Sequence, residues 1–170
     1  DLHGRLVTLC EGRDAAILPG ISPLGFLKRL GEIGTDLSRW KEVKHFTAWL
    51  GLATGRNESG KRRKRASRRR TKAGQIFKEA AMSIGRSKHL ALGGFYRRLK
   101  GRTCAAVANT ATARKLAVLY YRLMTEGIEY VEHGLKEYER QYQQQSLKRL
   151  KKMAQNLGMI IVETETGDVA

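Results

Sequence analysis

The residues with the most chemical potential fall in one stretch, 56–72, which reads RNESGKRRKRASRRRTK. From Lys61 to Lys72, nine of twelve residues are Lys or Arg. Cations at this density form a phosphate-seeking surface, because each one set against a nucleic-acid phosphate releases a condensed counterion. Arg56, Lys61, Arg62, Arg63, Lys64, Arg65, Arg68, Arg69, Arg70 and Lys72 are therefore candidate phosphate contacts. Ser59 stands just upstream, in a Ser-Gly turn. A hydroxyl beside collected phosphodiesters could attack phosphorus, provided its surroundings activate it. Local spacing alone supports a plainer reading of Ser59, since Ser and Gly are ordinary loop residues. No His/Asp pair in a recognisable nucleophile motif accompanies it. No carboxylate cluster suited to two metal ions is visible either, so no metal site is assigned in this chain.

A second candidate is LPGISP at 18–23. It resembles the hairpin of a helix-hairpin-helix, in which a tight Gly-containing turn and the start of the next helix point backbone N–H groups at a phosphate. Gly20 and Ser22 would be its contacts, and it would bind without reading bases. A plain helix-helix turn is the alternative, because Pro and Gly punctuate any loop.

Composition narrows the classes. The 170 residues hold 33 Lys+Arg against 16 Asp+Glu, net +17. Without the nine cations of 61–72 the balance is still 24 against 16, so basicity is not confined to one tail. That is the electrostatic footprint of a nucleic-acid-binding protein. A cationic membrane-surface protein would want a basic helix with an apolar face, and 61–72 contains no large apolar residue. No apolar run reaches the roughly 18 residues a membrane span needs, and no signal peptide is visible. A cytoplasmic, prokaryotic, nucleoid-associated protein is expected. Cys10 and Cys104 read as free thiols, and four scattered histidines give zinc little support. The chain does not begin with Met and reads as a fragment or a processed product.

The elements that must position these residues read as all-α, with at most one short strand at Met159–Val162. Ser22 as N-cap and Pro23 as first helical residue predict a helix ended by Gly34, with Leu24, Leu27, Leu30 and Ile33 as its apolar stripe. Val43, Phe46 and Leu50 space as a second helix stopped by Gly51. Residues 53–72 are polar and aperiodic and read as a loop. Short helices are predicted at 73–85 and 88–100. Two long helices follow, Arg102–Glu126 between Gly101 and Gly127, and Leu135–Leu157 between Gly134 and Gly158. Leu147, Leu150, Met153 and Leu157 form the apolar stripe of the second. Trp40, Trp49, Phe95, Tyr96, Tyr120 and Tyr121 read mainly as core, whereas Tyr138 and Tyr142 are open. The expected division is an upstream linker or helix end at 1–17, one domain at 18–163 and a disordered tail at 164–170. That domain comprises a helix-hairpin-helix at 18–50 and the basic loop at 54–72.

In order and spacing, LPGISP (18–23), GEIGTDLSRW (31–40), FTAWLGLA (46–53), ESGKRRKR (58–65), FYRRLKGR (95–102) and ATARKLAVLYYRLMTEGIEYV (111–131) resemble the C-terminal transposase domain of the IS116/IS110/IS902 insertion-sequence transposases, relatives of the Piv and MooV DNA invertases. The likeness spans about residues 15–160. Thr54, Ser22 and the all-basic 68–70 depart from the family's usual residues. The resemblance implies that Ser59 is a nucleophile forming a covalent phosphoserine bond with a cleaved DNA strand. It implies an upstream RuvC-like domain whose four carboxylates bind Mg²⁺, with no cofactor held in this chain. It also implies assembly as dimers or tetramers around a structured guide, or bridge, RNA. A non-catalytic nucleic-acid-binding or scaffold domain of the same ancestry is the alternative function.

Overall fold

A computed structural model describes residues 1–53, 71–87 and 91–162, with side chains throughout except at 130–135. Among the described residues every regular element is helical, and Met159–Val162 forms no strand. The fold class is all-α. The helices are α1 (Leu2–Leu9), α2 (Pro23–Ile33), α3 (Val43–Trp49), α4 (Lys72–Arg86), α5 (Ala91–Arg102), α6 (Ala105–Glu126) and α7 (Ile128–Asn156), with a 3₁₀ turn at Ala15–Ile17.

Local chemistry explains several boundaries. The Ser22 hydroxyl accepts from the Gly25 amide at 3.1 Å, Pro23 opens α2, and Gly34 closes it at φ +86°. Thr71 caps α4 in the same way, accepting from the Gly74 amide at 3.0 Å. Gly127, at φ +94°, both ends α6 and starts α7.

Other boundaries correct the sequence reading. Gly101 and Arg102 lie inside α5, and the break comes at Thr103–Cys104. Gly134 does not start the last helix, which runs 29 residues through it from Ile128. A glycine inside a helix costs only about 1 kcal/mol, which neighbouring turns can offset. The stripe of α2 is also displaced. Phe26, Leu30 and Ile33 are buried while Leu24 and Leu27 are exposed, because α2 meets α4 on the face that carries Phe26 and Arg29. On α7 the stripe expected at Leu147, Leu150, Met153 and Leu157 faces solvent.

The core gathers α1 to α4 around α6. Phe46 of α3, Phe77 of α4 and Tyr120 of α6 are fully buried, and their rings meet at centroid distances of 5.6 to 6.4 Å. The Tyr121 hydroxyl donates to the Trp40 carbonyl at 2.7 Å, tying α6 to the segment before α3. Leu6, Cys10 and Ala15 join the same cluster, so the first residues pack as part of this unit.

Candidate nucleic-acid interface

Ser59 and the cations Arg56, Lys61, Arg62, Arg63, Lys64, Arg65, Arg68, Arg69 and Arg70 lie outside the described residues, as does the tail at 164–170. Lys72 is described, exposed at the first position of α4. The two points from which the basic segment departs are also described, and they are close together. The Thr71 hydroxyl donates to the Leu50 carbonyl at 3.1 Å while accepting from the Gly74 amide. The backbone at Gly74 comes so near Leu50 that a Cβ there would lie 2.0 Å from its carbonyl oxygen. Leu52 is buried and its amide donates to the Thr47 carbonyl at 2.9 Å. The segment that holds Ser59 therefore leaves the end of α3 and returns to the start of α4 at a single clasp.

The hairpin at 18–23 is a type II turn. The Ile21 amide donates to the Leu18 carbonyl at 3.1 Å, Pro19 takes the second position, and Gly20 the third at φ +73°. Gly20 also has no room for a side chain, since a Cβ would lie 2.7 Å from Ile84 Cγ1 and 3.0 Å from the Ala80 carbonyl. The turn is thus seated on α4, and Ser22 spends its hydroxyl on the α2 cap. Beside it, Arg29 is 1 % exposed. Its guanidinium donates to the carbonyls of Gly25 at 2.7 Å and Ile76 at 3.3 Å, and lies 4.8 Å from the Phe77 ring centre. Burial lowers its pKa to about 10, and its Nε has no partner. Sequence reasoning missed this residue; a lone arginine on a helix carries no sign that it turns inward.

The charge is more localised than composition alone conveys. Between Lys61 and Thr125 the sequence holds 19 Lys and Arg and a single acid, Glu79, whereas the rest holds 14 cations and 15 acids. The whole positive excess thus belongs to the basic segment, α4, α5 and α6. On α5, Arg97, Arg98, Lys100 and Arg102 fall within six residues, with no acid on that helix. Arg97 donates to the Gly85 and Ser87 carbonyls, fixing the α4–α5 corner. Phe95 and Tyr96, expected in the core, are instead half-exposed beside these cations. Among the described residues no three His, Cys, Asp or Glu side chains come together as metal ligands. Cys10 is buried, Cys104 is exposed, and both are free. No described helix is long and apolar enough to cross a membrane.

The described residues thus form an all-helical unit, and the positive excess of the sequence falls between Lys61 and Thr125. Residues 15–96 match the family described as Transposase IS116/IS110/IS902. The match includes the hairpin, the clasp and the basic segment, and stops within α5. No curated protein and no solved structure matches the chain.

Proposed function

We propose that this chain is the strand-exchange domain of an insertion-sequence transposase, with Ser59 as the attacking group. The observation that carries the reading is the concentration of the entire positive excess in 61–125, beginning two residues after Ser59, inside a family of DNA-recombining enzymes. The polybasic segment would collect phosphodiesters, and the hairpin at Gly20 and Ser22 would add a backbone contact. In the chemical step the Ser59 oxygen would bond to phosphorus. The scissile P–O bond would break, and the serine proton would end on the departing deoxyribose oxygen. Such an exchange conserves one phosphodiester for another, so the cleaved strand stays attached and can be rejoined.

A structured guide RNA and assembly as a dimer or tetramer belong to the same reading, supported by the resemblance and by a charge large enough for two nucleic-acid partners. This chain on its own is expected to bind nucleic acid without cutting it, because the resemblance assigns the Mg²⁺-binding carboxylates to an upstream RuvC-like domain. The decisive experiment uses the full-length protein. Ser59→Ala should abolish the covalent protein–DNA adduct and strand exchange together, with binding nearly unchanged. Ser67→Ala, in the same basic stretch, should retain both. Recombination by Ser59→Ala at near parental rates would sink the assignment and leave a nucleic-acid-binding scaffold as the function.

A further inference from the structure

Lys115, midway along α6, sits on an aromatic shelf built by the two neighbouring helices. Its ammonium lies 4.2 Å from the ring centre of Phe95 in α5 and 4.9 Å from that of Tyr138 in α7. Glycine brings the helices together here, for a Cβ at Gly94 would lie 2.3 Å from the Tyr142 hydroxyl. A cation over aromatic faces is in itself a modest stabiliser. The unusual partner is Arg98, one turn beyond Phe95, whose charge acts on both Lys115 and the Tyr138 hydroxyl. Loss of water first, and Arg98 second, hold the Lys115 ammonium below its ordinary pKa. Glu139, the acid next to Tyr138, has both carboxylate oxygens on the Ala91 amide at the far end of α5, at 2.8 and 3.0 Å. Among the described residues no acid pairs with Lys115 or Arg98. Two like charges, one partly stripped of water, raise the free energy of the empty surface, and an arriving anion would offset that.

The geometry points to a second phosphodiester-binding station at the α5–α6–α7 seam, where Arg98 and Lys115 each hold one of two consecutive backbone phosphates of a nucleic acid. Phe95 and Tyr138 are the floor of this station and not stacking partners, because the lysine covers them. It therefore grips backbone without preference among bases. Its two cations, Arg98 and Lys115, lie past residue 96, outside the family match and outside the 61–72 run. The inference rests on the reading that the chain binds nucleic acid, and either a DNA duplex or a single RNA strand supplies the same phosphates.

The test compares the parent chain with the double variant Arg98→Gln, Lys115→Gln, measuring affinity against salt for duplex DNA and for single-stranded RNA. Loss of two phosphate contacts should flatten the slope of log K against log salt by about 1.8 for duplex DNA or about 1.4 for a single strand. The arm that flattens identifies the strand. Lys115→Arg alone should keep the parental slope. A folded double variant with unchanged slopes in both arms would overturn the station. If the double variant does not fold, Arg98→Gln alone should flatten one arm by about half as much, and no change there overturns the station too. A reference variant separates the two levels. If Arg62, Arg63, Lys64 and Arg65→Gln flattens the slope while the seam variant does not, nucleic-acid binding stands and the station falls. If the parent binds neither strand, the functional reading itself falls.

Discussion

Arg29 is the residue whose place in the core most needs a physical reason. A guanidinium at 1 % exposure loses most of its hydration and regains two carbonyl bonds and one aromatic face, which leaves its pKa at about 10. Buried charges of this kind often give no net stability over an apolar residue of similar size. Their contribution is geometric, and here the forked head bridges the first turn of α2 to the first turns of α4. Arg29→Met should accordingly lie within about 1 kcal/mol of the parent in denaturant unfolding. Arg29→Ala leaves a cavity and should lose about 2 to 5 kcal/mol. Equal losses for both would mean that the carbonyl bonds, and not the filled volume, hold the crossing.

Among elements, the junction of α3 with α4 depends most on a single backbone approach. A methyl group at Gly74 would collide with the Leu50 carbonyl, so Gly74→Ala must push the start of α4 off α3 and should cost more than about 2 kcal/mol. Gly31→Ala is the matched control. Its site in α2 has nothing within 4 Å, so relief of glycine's helix penalty should stabilise by about 0.5 to 1 kcal/mol. Thermal or denaturant unfolding of both variants checks the contrast. These elements also show how much of the fold was legible beforehand. The Ser22–Pro23 start and Gly34 stop of α2 are local chemistry and could be read directly. The buried face of α2 could not, because its phase is set by where α4 crosses, and that crossing is not encoded within eleven residues. Gly101 and Gly134 misled for a related reason, since tertiary packing overrides a propensity of about 1 kcal/mol. The basic segment was plain from composition, whereas Arg98 and Lys115 come from different helices and share no motif.

At the scale of the whole molecule, charge and core lie in different parts of the chain. The buried cluster draws on every helix from α1 to α6, yet the net charge belongs to residues 61–125 alone. Beyond Tyr142 the last helix adds little to the interior, for Leu147, Leu150, Met153 and Leu157 are 40 to 66 % exposed. Truncation after Gln145 should leave the Tm within about 3 °C of the parent, the shift expected for roughly 1 kcal/mol. A fall of ten degrees or more would show that the distal half of α7 is held against the body. The clasp of Leu50, Thr71 and Gly74 has a consequence for inheritance. The described residues on either side of the intervening segment are already held together there, by the Thr71–Leu50 hydrogen bond and the close approach of Gly74. Doubling such an excursion adds only about 0.6 kcal/mol of closure entropy. As far as closure entropy goes, its length can therefore change at little cost while the contact of Leu50, Thr71 and Gly74 is kept. In evolutionary terms, insertions and deletions between Leu52 and Thr71 meet only a weak entropic penalty, whereas a change at Gly74 meets a steric one.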